Sequence, residues 1–314
     1  MENNNVISFI IPTYNAADTI VKCLASIKAL EYPYNKSEII IVDNGSSDST
    51  RNVGAGFTNK IYVNTTETIA GLRNLGAKNA KGNFLAFIDS DCIIPQNWGN
   101  KALEHFKNKQ VGMVGTRTIL LPENVTWVER AWKKHLDREK YKKEVLWLFS
   151  CAIMVRKDVF EEVGGFDESL ITCEDVDFGY KIRKKYTIIA DEQLAPVHLR
   201  GEKTLTKFFK KESWRGKNSI KVELKQIMQK KKTSLMLAML FYYLTMFIIF
   251  IPAAVIASIT QNIGCVISIV IAIIMPVVVI SFDTCRRIGD YRSMGQLFIL
   301  YFTYILARIW AMFK

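Results

Sequence analysis

The run Phe84-Leu85-Ala86-Phe87-Ile88-Asp89-Ser90-Asp91 decides how this chain is read. An apolar stretch rich in aromatic and branched residues leads directly into two acids one residue apart. A short continuous apolar run closed by a turn signal reads as a strand buried on both faces. Working upstream, Val6–Ile11 is a similar run closed by Pro12, and Glu38–Val42 is another, closed by Asp43-Asn44-Gly45. Lys60–Val63 is a weaker third. Between them lie helical patterns over 16–30, with Ile20, Leu24 and Ile27 on one face, over Ser47–Phe57, and over Thr68–Lys81, ended by Gly82. This βαβαβαβ alternation predicts an α/β fold: a mostly parallel sheet flanked by helices, Rossmann-like in plan. In such sheets ligands bind outside the carboxyl ends of the strands. Thr13, Asp43 and Asp89 occupy three such ends. Downstream, strands are expected at 111–116, Trp147–Val155, 186–190 and 195–199. Helices are expected at 126–143 (basic, with Trp127 and Trp132), at Lys157–Val163, ending in Gly164-Gly165, and at 173–185.

Composition divides the chain of 314 residues, 49% hydrophobic, into unlike parts. Residues 1–232 mix apolar and polar positions; residues 235–313 are nearly all apolar. The net charge of +12 is concentrated between Arg200 and Lys232, where twelve Lys/Arg face only Glu202, Glu212 and Glu223. A basic segment beside apolar spans is expected on the cytoplasmic face of a membrane. Stretches near 235–259, 263–282 and 297–313 are candidate spans, with the third alternatively lying in the interface plane. Arg286, Arg287 and Arg292 in the 283–296 loop would keep that loop and the N-terminal domain cytoplasmic. Three regions are thus expected: a catalytic domain at 1–200, a basic amphipathic interface segment at 201–232, and a multi-pass cell-membrane region at 233–314. No nucleic-acid motif accompanies the charge, so no nucleic-acid partner is expected. Cys23, Cys92, Cys151, Cys173, Cys265 and Cys285 show no CxxC spacing, which suits a reducing cytosol. The first residues lack the pattern of a signal peptide. Gly216-Lys217-Asn218 has no upstream glycine, and no GxGxxG occurs, which excludes a typical NTPase or dinucleotide enzyme.

The acids carry the chemistry. Two carboxylates at a strand end repel each other, and a bound divalent cation relieves that repulsion. Oxygen ligands suit Mg²⁺ or Mn²⁺, which commonly shares its shell with substrate phosphates. Asp89 and Asp91 are therefore candidate diphosphate and metal residues. At Asp43-Asn44-Gly45-Ser46-Ser47-Asp48, capping explains the later residues, while Asp43 is placed to accept from a base or ribose. Glu174-Asp175-Val176-Asp177 opens a helix. Its acids either complement the helix dipole or include a general base. His198 is either structural or a third metal ligand.

Six motifs now stand in order: Ile11-Pro12-Thr13-Tyr14-Asn15, Val42-Asp43-Asn44-Gly45-Ser46-Ser47-Asp48, Gly71-Leu72-Arg73-Asn74-Leu75-Gly76, Phe87-Ile88-Asp89-Ser90-Asp91, Gly164-Gly165-Phe166-Asp167-Glu168 and Glu174-Asp175-Val176-Asp177. Together, over about residues 6–200, they resemble family 2 glycosyltransferases of the GT-A fold. The resemblance implies an inverting transfer from a nucleoside-diphosphate sugar, with a UDP-sugar favoured. It implies that Pro12, Thr13, Asn15 and Asp43 line the nucleoside pocket and that Arg73 approaches the base or phosphates. Asp89, Ser90 and Asp91 would serve ribose, diphosphate and metal, with Asp175 as general base and Glu174 supporting it. Ser150-Cys151-Ala152 resembles the acceptor-side strand, and Trp214 and Arg215 fall in the acceptor and membrane region. The acceptor implied is a lipid-linked glycan, with membrane lipids as further partners. Two departures separate this chain from relatives. The sequence after Asp89 lacks the acidic, glutamine-containing pattern of polyprenol-phosphate transferases, and the Gln-x-x-Arg-Trp motif of processive synthases is missing. Those two activities, and a non-catalytic donor-binding subunit, are the rival readings.

Overall fold

The computed structural model describes residues 5–65, 68–138, 143–219, 221–222, 235–260 and 263–313. Residues 223–234, the end of the basic run, lie outside the described residues. The chain divides into two compact units: Met1–Glu123 with Tyr141–Gly201, and Asn124–Lys140 with Glu202–Lys314.

The first unit runs β1 (Ile7–Thr13), α1 (Ile20–Lys28), β2 (Ser37–Asp43), α2 (Thr50–Ala55), β3 (Ile61–Val63), α3 (Ile69–Lys78), β4 (Phe84–Ile88), β5 (Cys92–Ile93), α4 (Trp98–His105) and β6 (Val111–Gly115). The helix α5 (Trp127–Asp137) belongs to the second unit. The first then resumes with β7 (Ala152–Arg156), α6 (Lys157–Glu162), α7 (Glu174–Ile182), β8 (Thr187–Ala190) and β9 (Val197–His198). Seven strands form one sheet in the order β3-β2-β1-β4-β7-β6-β8. It is mostly parallel; β7 alone runs against its neighbours β4 and β6.

The period-two alternation of a strand assigns side chains to two layers. Ile7, Phe9 and Ile11 pack with Ile20, Leu24 and Trp98 on the face covered by α1 and α4. Ile10 packs with Leu72, Phe87, Phe160 and Phe178 on the face covered by α3, α6 and α7. Burial on both faces is why these strands read as unbroken apolar runs. Pro12 is tolerated in a central strand because pairing with β4 ends at Ile10↔Phe87, so its missing N–H falls beyond that ladder. Gly76 lets α3 lie close to the sheet: a Cβ there would stand 2.3 Å from Ile10 Cγ2.

Two local expectations change. A strand over Trp147–Val155 begins only at Ala152, because its partner β4 ends at Ile88↔Ala152. Beyond that point a single bond, Asp89 N to Cys151 O at 3.0 Å, continues the pairing. The strand near 195–199 is a two-residue pairing of β9 with β5.

The second unit contains α5, α8 (Leu205–Arg215), α9 (Leu235–Thr260), α10 (Ile263–Ile288) and α11 (Met294–Ala311). A capping box between Thr126 and Glu129 starts α5. Val128, Ala131 and Phe208 form a core with Leu297, Leu300 and Tyr301. Phe208 is therefore buried, while Trp214 on the same helix is 44% exposed. The expected 283–296 loop is shorter than read. The helix α10 continues through Arg286 and Arg287, both paired with Asp283, at 2.9 and 2.6 Å. Cations in a last turn are favourable there. Gly289, at φ +73°, then ends the helix. Two stretches, Val266–Ile288 and Tyr291–Ala311, are long and apolar enough to cross a bilayer; Phe241–Ile256 is a shorter apolar stretch.

Candidate active site

The carboxyl ends of β1, β2 and β4 carry the polar machinery. Register pairs Thr13 with Asp43. Asp43 is fully buried, and its first role is to shape its own turn. Oδ1 accepts from Gly45 N at 3.0 Å and Ser46 N at 2.8 Å, and Oδ2 accepts from Ser46 Oγ at 2.5 Å. Gly45, at φ +78°, supplies the conformation this turn needs. Asn15, itself left-handed at φ +44°, stitches the β1 loop to the β2 loop. Its N–H donates to Ser46 Oγ at 2.9 Å and its Oδ1 accepts from Ser47 N at 2.9 Å. Arg200 donates to Asn15 O at 2.9 Å. Two atoms stand out: Thr13 Oγ1 and Asn44 Oδ1 are buried with no hydrogen-bond partner among the described residues. Buried polar groups rarely go unsatisfied, so each of these two oxygens calls for a donor from water or a ligand. Pro12 is buried beside them, while Tyr14 is 58% exposed between Thr13 and Asn15.

At the end of β4, Asp89 Oδ1 receives Arg73 Nη2 at 2.9 Å, and Arg73 Nη1 reaches Glu174 Oε1 at 2.7 Å. Arg73 is 2% exposed, with its guanidinium 5.5 Å from the Phe166 ring centroid. Burial alone would disfavour its charge, but Asp89 and Glu174 overcome that and hold its pKa above the ordinary arginine value. The structure thus gives Arg73 two protein carboxylates as partners. The next residue, Asn74, joins the Gly71–Gly76 motif to the Gly164–Glu168 motif. Its Nδ2 donates to Phe166 O at 3.0 Å and Glu168 Oε1 at 2.7 Å, and its Oδ1 accepts from Phe166 N at 3.0 Å. Sequence reading assigned Asn74 no role, although the two motifs it ties together were both visible.

Glu174, 8% exposed, opens α7 after Cys173 at φ +64°. Asp177 pairs with Lys181 at 3.4 Å. Asp175 sits between these two acids, half-buried, with Oδ1 accepting from Val176 N at 2.8 Å.

A third group forms where β5 pairs with β9, Cys92 opposite His198. His198 Nε2 lies 3.7 Å from Asp91 Oδ1, and Leu199 N donates to Asp91 O at 2.8 Å. The ligand atoms of Asp91, Cys92 and His198 lie within 4.8 Å of one another. Cys92 was not expected here. Its hydrogen bond with Cys151, then burial, push its thiol pKa well up. Cys151 is likewise buried, in the layer with Ile88 and Cys92. Ser90 is half-buried between the two acids. Trp214 and Arg215 belong to the second unit, where Arg215 donates to Glu212 at 2.6 Å.

Residues 8–164 match the model of glycosyl transferase family 2. That match ends ahead of α7 and His198. The glycosyltransferase AglE of Haloferax volcanii is 31% identical over 212 residues, covering 60% of this chain and 67% of that protein. The pre-mycofactocin glycosyltransferase of Mycobacterium tuberculosis is 28% identical over 203 residues, covering 61% of this chain and 42% of that protein. Among solved structures, the mannosyltransferase PcManGT from Pyrobaculum calidifontis, in complex with GDP-Man and Mn²⁺, shares the fold at a TM-score of 0.53. It is 18% identical, and the match covers 69% of this chain and 63% of that one.

Proposed function

This chain belongs to glycosyl transferase family 2, and we propose that it moves a sugar, with inversion, from a nucleoside diphosphate to a hydroxyl of a lipid-linked glycan. The main support is the Arg73 bridge, because one guanidinium holds an acid of the β4 loop and the acid beside Asp175. Donor-side and acceptor-side carboxylates are then neighbours without being equivalent. The orphaned Thr13 and Asn44 oxygens and the exposed Tyr14 ring supply hydrogen-bonding and stacking groups for a nucleoside, with a UDP-sugar the favoured donor. Asp43 contributes by fixing the turn that carries Asn44.

In the transfer, the acceptor oxygen forms its bond to the anomeric carbon from the face opposite the diphosphate. The bond from that carbon to the diphosphate oxygen breaks, and the nucleoside diphosphate departs with the electron pair. Asp175 takes the acceptor proton as general base, and Glu174, fixed by Arg73, keeps the first turn of α7 in place. The donor set at the β5/β9 pair fits a divalent cation: Asp91 offers a carboxylate oxygen, His198 a ring nitrogen, and Cys92 lies buried beneath them. A mixed oxygen and nitrogen set suits Mn²⁺ better than Mg²⁺. The metal, when bound, neutralises charge on the leaving diphosphate. PcManGT, solved with GDP-Man and Mn²⁺, is the precedent for this pairing on the shared fold.

The helical unit is proposed to sit at the cytoplasmic membrane face. Its support is exposed apolar residues such as Ile248, Ile256, Ile267 and Ile271, with basic Lys203, Lys207 and Lys210 on and beside α8. The test is release of nucleoside diphosphate by the full chain from a panel of nucleotide sugars with Mn²⁺, with and without membrane lipid extract. Extract-dependent release from one donor class is expected. Absence of any donor-dependent release across the panel would defeat the proposal.

A further inference from the structure

We propose that the partly buried polar cluster among α5, α8, α10 and α11 is a binding site for the phosphate group of a lipid. The cluster is built from His135 and Arg138 at the end of α5, Glu212 and Arg215 on α8, Thr284 on α10, and Tyr301, Tyr304 and Arg308 on α11. Tyr301 Oη lies 3.0 Å from His135 Nδ1, 2.8 Å from Thr284 Oγ1 and 3.4 Å from Arg138 Nη1. Arg138 also meets the His135 ring. Glu212, 1% exposed, accepts from both Arg215, at 2.6 Å, and Arg308, at 2.7 Å. Aromatic faces floor the site: Trp132 stacks on His135 at 4.4 Å, and the Arg308 guanidinium lies 4.9 Å from the Tyr304 centroid.

Positive charge is in excess around Arg138 and Arg308: among the described residues Glu212 pairs with Arg308, and no carboxylate pairs with Arg138. Arg138 meets only neutral groups among the described residues, and Arg308 Nε is buried there without an acceptor. Burial first, then Arg138 and Arg308, hold the His135 pKa well below its ordinary value, a sign of the same positive surplus. A buried, uncompensated charge is costly, and an oxyanion is the ligand that arginine forks fit best. The same unit exposes Ile248, Ile256, Ile267, Ile271 and Phe282, so the phosphate is expected on an amphiphile, whose chains those residues would contact. The lipid source rests on the membrane reading above; the phosphate chemistry does not.

Two measurements separate these. The first is the thermal shift of the detergent-solubilised full chain with short-chain phosphatidic acid, with short-chain phosphatidylcholine, or with inorganic phosphate. Phosphatidic acid is expected to stabilise the wild type and Arg138→Lys. Arg138→Gln is expected to need roughly tenfold more, the loss of one charged hydrogen-bonding partner. Lys78→Gln, exposed on α3 of the first unit, is expected to respond as wild type. The site is overturned if Arg138→Gln responds as wild type, or if Lys78→Gln loses as much. Stabilisation by inorganic phosphate at the same concentration would assign the site to free phosphate and overturn the lipid claim. The second is flotation with phosphatidylcholine vesicles, which reads membrane association alone, so failure there counts against the membrane reading and leaves the first measurement to judge the site.

Discussion

Replacing Arg73 with Met tests how the two acidic loops are held together. Arg73 is buried and spans Asp89 at 2.9 Å and Glu174 at 2.7 Å. The two links differ in weight. The Asp89 side chain is 31% exposed, so its share is screened and small, below about 1 kcal/mol. Glu174 is 8% exposed, and losing Arg73 leaves it as a buried charge without its cation, a change that costs about 3–5 kcal/mol. For a unit of this size that corresponds to a fall in melting temperature on the order of 10 °C. The assay is a thermal melt of wild type, Arg73→Met, Glu174→Gln and the double variant. Because the residues touch, the cycle is expected to be non-additive, with the double variant recovering at least about 1 kcal/mol relative to the sum. Arg73→Lys is expected to remain well below wild type, since a point charge does not bridge two carboxylates. An unchanged melt for Arg73→Met, or an additive cycle, would refute the reasoning.

Other outcomes follow from the same geometry. Asp43→Asn loses acceptor capacity toward Gly45 and Ser46; it should cost about 1–3 kcal/mol in a melt and weaken donor binding by equilibrium dialysis. His198→Ala should raise the Mn²⁺ concentration for half-maximal turnover by about tenfold or more while leaving folding intact; an unchanged metal titration would remove His198 from the donor set. Glu38 is opposed by burial, but Lys60, Ser8 and Lys81 outweigh that and hold its pKa below the ordinary carboxyl value. A depressed acid contributes stability above about pH 4.3 that is lost as pH falls through its folded pKa. Glu38→Gln should therefore lower stability at neutral pH and flatten its acid limb in urea titrations at stepped pH. Gly76→Ala drives a methyl against Ile10 and Val42 and should cost about 1–3 kcal/mol by circular dichroism melts.

Much of the fold was legible because local signals agreed. Apolar runs at Ile7–Ile11 (interrupted only by Ser8), Ile39–Val42 and Phe84–Ile88 became strands buried on both faces, and Asp43 and Asp89 stood at their ends as expected. What escaped was non-local. The sequence carries no sign that Arg73 spans to Glu174, 101 residues away, since either acid pairs plausibly elsewhere. Asp91 and His198 are joined by the two-residue pairing of β5 and β9, too short for a periodic signal. The early end of the strand predicted over Trp147–Val155 depended on where its partner stopped, which composition does not encode. Arg286 and Arg287 read as loop charges, yet their pairing with Asp283 extends α10 past them.

The central claim is that a family 2 transferase keeps its leaving-group acids apart from its base. Nucleoside-diphosphate release and donor affinity, measured in parallel for wild type and Asp175→Asn, test it most directly. The account predicts donor affinity within about twofold of wild type and acceptor-dependent release slower by roughly 10²–10⁴. Release at the wild-type rate from Asp175→Asn would contradict it.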